Sequence, residues 1–183
     1  VISGNGTMNV NGMNYTLNVG TVWLVARSEK VQFATMESLQ LLQVRISEDA
    51  VEEYLLRNKP AETTDVRNGS VELIPRHLLV DSFFSGIKSG VDNEYRASIP
   101  LVFLKMQECI GILTYVCPAL YDWFSRMNSM QKINLREFME THYKDNMPLE
   151  QLAAATGRSL STFRRDFSKE FGTTPGRWLL KIG

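Results

Sequence analysis

The chain has 183 residues, with 20 Lys and Arg against 20 Asp and Glu and a net charge of zero. That length suits one or two small domains, and neutrality excludes a uniformly basic chain. The charge is uneven, however: from Gln131 onward there are nine Lys/Arg against six Asp/Glu, and before it eleven against fourteen.

The first third reads as β. Asn11-Gly12 lies between short apolar stretches that run from Met8 to Leu17, and Asn-Gly supplies the positive φ angles of a two-residue hairpin. Gly20 marks a second turn. Strands are expected over 21–26, 31–35 and 39–46, rich in β-branched and aromatic residues, as a meander or small barrel-like sheet. Ser47 then caps a helix with Glu48 and Asp49 in its first turn, where the helix dipole favours them, and Asn58-Lys59-Pro60 ends it.

A polar loop, 61–70, turns at Asn68-Gly69 and leads to a short extended segment, 71–74. Pro75 opens a helix through Leu78, Leu79, Phe83 and Ile87, with Gly90 near its end. From Ile99 to Met127, apolar residues recur at spacings of four and three: Val102, Met106, Cys109, Leu113, Val116, Leu120, Trp123 and Met127. Such a stripe packs along another helix, in this chain or in a second copy, and Pro118 splits it into two helices. Cys109 and Cys117 lie in this apolar setting and read as buried free thiols, as in a reducing cytoplasm, over a disulfide. No apolar run reaches the length of a membrane span, and no signal peptide is expected.

Asn128 to Lys132 reads as a polar joint, followed by an amphipathic helix from Ile133 to Tyr143. The last stretch, Pro148 to Trp178, reads as two short helices with a tight turn. Pro148 suits a first helical position, Gly157 stops the first helix and Ser159 caps the second. In the second helix Leu160, Phe163 and Phe167 face inward, leaving Thr162, Arg164, Arg165, Ser168 and Lys169 outside, and Phe171-Gly172 closes it. Two helices, a glycine-containing turn and a basic outer face make a helix-turn-helix.

The run from Ser159 to Pro175, with its Ser-x-Ser-x-Phe-x-Arg-x-Phe pattern, basic residue, Phe-Gly and later Pro, resembles the DNA-binding motif of AraC/XylS-type transcription regulators. The spacing of Gly4, Gly6, Gly12 and Gly20 and the strand order resemble, loosely, the latter part of the cupin-like sensor domain that many such regulators carry. The resemblance implies an α+β chain: a partial cupin-like sheet or barrel, a central helical dimerisation segment and a C-terminal helix-turn-helix bundle. It divides the chain into residues 1–127, for sensing and dimerisation, and 128–183, for DNA binding. It further implies leading strands before Val1 and a second helix-turn-helix unit beyond the helix that begins at Gly176, neither contained in these residues.

Carried onto this sequence, the resemblance places Ser161, Arg164 and Arg165 at base edges, and Ser159, Thr162 and Lys169 nearer phosphates. Leu152, Phe163, Phe167 and Phe171 would hold the two helices together, and Arg158 either meets backbone or is solvated. Arg164 or Arg165 could instead pair with Asp166 or Glu170 on the helix surface. The implied partners are double-stranded DNA, a second copy of the chain, and a small molecule or protein as effector, in the cytoplasm and away from membranes. No cofactor is implied. The two histidines, His77 and His142, form no HxH, HxxxH or Cys–His pair, so no metal site is expected and both read as surface or capping residues. No phosphate loop and no Ser–His–Asp grouping is present, and Glu52-Glu53 point apart on a helix, so no catalytic residue and no enzyme is expected. The competing reading is a ligand- or protein-binding sensor whose C-terminal helices dock a partner protein; exposed Leu, Met or Phe on the second helix would mark it.

Overall fold

A computed structural model describes the chain except residues 28, 36–37, 59–64, 95, 131 and 183. It forms two compact units, Val1–Ser125 and Arg126–Gly183. The architecture is α+β, with short strands followed by helices. The expected loop residues 61–64 fall outside the described residues.

In the first unit, β1 (Gly6–Val10) and β2 (Met13–Leu17) form the expected hairpin, Val10 opposite Met13. Asn11 and Gly12 take φ of 52° and 83°, and Gly12 N–H donates to Asn9 Oδ1 at 3.2 Å, fixing the turn. The sheet is not a meander. β4 (Val31–Ala34) pairs with the other side of β1, while β3 (Val22–Val25) leaves to pair with β5 (Val71–Ile74). Turn chemistry fixes pairing between neighbouring strands only; β3 meets a partner far along the chain, which no local signal encodes. Met8, Val10, Leu17 and Val71 are buried together with Trp23 and Val25 against them, so both sheets feed one apolar cluster.

The strand expected over 39–46 does not form. A single bridge joins Ser3 and Gln40, and the rest runs without a ladder. Burial nonetheless alternates along it: Leu42, Val44 and Ile46 are half-buried while Leu41, Gln43 and Arg45 are exposed. An extended chain can lay alternate side chains on an apolar surface without a strand to pair with.

Ser47 caps α1 (Glu48–Arg57), its Oγ accepting from Ala50 N–H at 3.2 Å. His77 caps α2 (Leu78–Asp92), Nδ1 accepting from Leu79 N–H at 3.2 Å, as a capping histidine should. The long apolar stretch divides into α3 (Ile99–Val116) and α4 (Leu120–Met130), with Pro118 between them. The expected polar joint is therefore helical from Asn128 to Met130. By length and composition α3 is apolar enough to cross a membrane, with a mean hydropathy of 1.4 over 18 residues, against the sequence expectation.

Within the first unit α3 is the helix to which α1 is tied. Gln107 Nε2 donates to Ala50 O at 2.7 Å and Tyr54 Oη shares a hydrogen bond with Thr114 Oγ1 at 2.7 Å. Cys109, Ile110 and Leu113 are buried, so this part of the apolar stripe is core of the same chain. Both cysteines are free and buried, and burial pushes the Cys109 thiol up to about 12. On α4, Tyr121 Oη donates to Leu55 O at 2.9 Å and Trp123 Nε1 to Gly69 O at 2.7 Å.

Gly4 sets the start of the chain beside the Ser3–Gln40 bridge. Its φ is +77°, and a Cβ there would lie 2.0 Å from Ser38 O, a backbone atom with little room to retreat. Gly12 has the same left-handed sign but open space around it. Gly4→Ala is expected to destabilise the first unit by more than about 2 kcal/mol, combining strain and overlap, against about 1 kcal/mol for Gly12→Ala. Urea unfolding of the two variants measures the difference; equal losses would show that the close approach does not matter.

Candidate nucleic-acid interface

The second unit is built from α5 (Leu135–His142), α6 (Leu149–Ala155), α7 (Leu160–Phe171) and α8 (Pro175–Ile182). Each boundary has a local cause. Asn134 Oδ1 accepts from Glu137 N–H at 3.2 Å and starts α5. Pro148 is the N-cap of α6, one position earlier than expected, and Thr156 and Gly157, the latter at φ 70°, end it. Ser159 caps α7, with Oγ accepting from Thr162 N–H at 3.2 Å, and Gly172 ends it at φ 67° in the left-handed conformation.

One side of α7 is wholly consumed by packing. Phe163 and Phe167 are completely buried, among Leu135, Met139, Leu152 and Ala153. Burial of two such rings contributes several kcal/mol, at about 1.5–3 kcal/mol each. Phe167 stacks on Phe171 with centroids 4.2 Å apart, and Trp178 of α8 meets Phe167 edge-on at 5.5 Å. Trp178, which the sequence placed only at the start of a following helix, is thus a member of this core.

The opposite side carries the expected charged set. Ser161, Arg164, Arg165, Ser168 and Lys169 are all exposed. At about 100° per residue, Ser161, Arg165 and Ser168 share one strip, with Arg164 and Lys169 to either side. Among the described residues neither Arg164 nor Lys169 has an ion-pair partner, and Arg165 lies at 3.5 Å from Asp166 Oδ1. Glu170 is engaged elsewhere: Arg136 Nε donates to its carboxylate at 2.8 Å while the guanidinium sits 5.0 Å over the Phe171 ring. The arrangement presents cations and hydroxyls on a rigid helix, which suits phosphate oxygens and base edges.

Two expectations change. Thr162 is not on the outer face: it is 0% exposed, and its Oγ1 accepts from Ser159 Oγ at 3.0 Å. Its position near the N-terminus of α7 sets it beside the Ser159 cap, buried where helical phase alone would leave it outside. Ser159 is half-buried and its hydroxyl serves the cap. Arg158, whose role the sequence left open, is held inside the unit by an ion pair with Asp166 at 3.0 Å. The two residues are eight apart across a turn, a spacing that carries no helical or strand signal. Among the described residues no group of three or more His, Cys, Asp or Glu is placed to hold a metal.

Comparison with known proteins agrees with this geometry. Residues 139–180 match the family of bacterial regulatory helix-turn-helix proteins, AraC family. The thermoregulatory protein LcrF of Yersinia pestis is 23% identical over 178 residues, which cover 92% of this chain and 65% of that protein. The chain therefore spans about two thirds of the length of this curated relative. No solved structure matches.

The Ser159 cap gives a direct test of how α7 is held. Ser159→Ala removes the acceptor for Thr162 N–H and should cost about 1 kcal/mol. Ser159→Asp should restore most of it, since Asp is an equally good cap. Thermal unfolding followed by helical circular dichroism measures both; an unchanged Ser159→Ala variant would mean the cap contributes nothing.

Proposed function

We propose, from the premise that the second unit carries an AraC-type helix-turn-helix, that the protein is a sequence-specific DNA-binding transcription regulator. In this reading α7 enters the major groove, where the four base pairs present different hydrogen-bonding patterns. Ser161, Arg164 and Arg165 face base edges, Lys169 meets phosphate, and Ser159 stays near the sugar–phosphate backbone at the N-terminus of α7. The observation that carries the reading is the outer face of α7. It is polar and basic, and none of the exposed large apolar side chains among the described residues lies on it. A helix that docked a partner protein would show such side chains at successive turns.

Residues 128–183 are then the DNA-binding domain and residues 1–127 the effector-sensing and oligomerisation domain of a cytoplasmic regulator. The effector is a small molecule or a protein. Support for self-association comes from α3. Only 17% of this apolar helix is buried within the chain, and Leu104 and Tyr115 remain 63% and 71% exposed. They are eleven residues apart, about three turns, and so lie on one side. In this reading a second copy covers that side, while Cys109 and Leu113 belong to the interior.

Two experiments follow. With a duplex selected by the protein from a random library, Arg164→Ala and Arg165→Ala should each lower cognate affinity by about ten-fold or more and relax preference at particular bases. Lys169→Ala should weaken binding to all sequences alike and reduce the salt slope by about one. Equal losses on cognate and random DNA for the arginine variants would make them phosphate clamps and remove the base-reading assignment.

Light scattering should report a dimer, and Leu104→Glu should dissociate it with the first unit still folded. Leu113→Glu would unfold the unit instead, because that side chain is interior. A wild type that stays monomeric at high concentration would sink the dimer.

A further inference from the structure

Arg158 stands in the turn before α7, yet its side chain is only 9% exposed. Its Nε donates to Asp166 Oδ2 at 3.0 Å, and its Nη1 donates to Ile133 O at 3.0 Å and to Thr156 O at 2.9 Å. Ile133 N–H also donates to Thr156 O at 3.3 Å. One guanidinium therefore ties together the segment entering α5, the C-cap of α6 and the middle of α7. The planar fork of arginine, with five fixed donors, suits this; a lysine ammonium could not reach the same acceptors in the same plane. Lys132 Nζ, 3.8 Å from the same Asp166 oxygen, adds a second positive charge.

The consequence for α7 is rotational. Phe163 and Phe167 attach the helix to the core, but apolar packing is not directional and leaves the angle about the helix axis loosely set. A charge-assisted hydrogen bond is directional. Asp166 follows Arg165 by about 100° around the axis and Arg164 by about 200°, so fixing Asp166 fixes the bearing of both. We infer that Arg158 is a positioning residue, which through Asp166 sets the rotation of α7 and thereby the bases that Arg164 and Arg165 read. The inference rests on the DNA-reading role proposed above.

The test uses the full chain and two duplexes, one selected by the wild type from a random library and one of random sequence. The readout is the ratio of the two affinities, with circular dichroism reporting the folded fraction at the assay temperature. Arg158→Met and Asp166→Asn should each lower the ratio by about ten-fold or more, the size of one misaligned bidentate base contact. Affinity for the random duplex should stay within roughly three-fold, because phosphate attraction depends on the outer cations. The double variant should lose no more than either single variant, as expected for two ends of one interaction.

A merely structural role would lower the folded fraction and reduce both affinities together, and that result overturns the inference. Should Arg158→Met fail to fold, Asp166→Asn, which keeps size and removes charge, carries the same expectation. An unchanged ratio in folded variants overturns the positioning role while Arg164→Ala still loses the cognate site. If the wild type selects no motif and Arg164→Ala binds both duplexes as the wild type does, both readings fall together.

Discussion

The second unit depends on the burial of Phe163 and Phe167. A twelve-residue helix is marginal alone in water, and most of its stability must come from one packed face. Both rings are completely buried, and their neighbours come from α5, α6 and α8, so the three other helices are arranged around them. Because α7 commits one side to these contacts, its opposite side is turned away from the core. The charged set owes this outward placement to apolar residues of the core. Polar contacts then refine what packing cannot specify: Ser159 at the start of the helix, Asp166 along its flank, and Glu170 near its end.

The first unit solves a different problem. Its strands are four or five residues long, in one sheet of three and one of two, too short to be stable without a packed face. The two sheets share one apolar cluster, while α1 is tied to α3 through Tyr54–Thr114 and Gln107–Ala50. Trp123 links the helical part back to the turn before β5 by its bond to Gly69. Long-range hydrogen bonds of this kind join elements whose individual contact areas are small.

What could be read from the sequence follows the range of each interaction. Asn11-Gly12, Ser47, Ser159 and Gly172 act on backbone within a few residues, and the turns and caps formed where their chemistry required. The exposure of Arg164, Arg165, Ser168 and Lys169 was legible because helical phase separates them from Phe163 and Phe167. Thr162 broke that rule since, at a helix end, the neighbouring helix and turn cover positions that phase alone would expose. The pairing of β3 with β5, the extended but unpaired stretch after Leu39, and the Arg158–Asp166 contact all depend on residues brought together by the fold. The central stripe was ambiguous for the same reason: spacing says that Leu113 is buried, not by which chain.

The two interior thiols have a use in following motion. With its acidity pushed up to about 12, Cys109 carries almost no thiolate near neutral pH, and neither cysteine is open to reagent in the folded state. Alkylation must therefore wait until the α3 region opens. Its rate in excess reagent becomes a clock for local unfolding of this region. A ligand or second copy that steadies α3 would slow the clock in proportion to its binding, without any label having to be introduced.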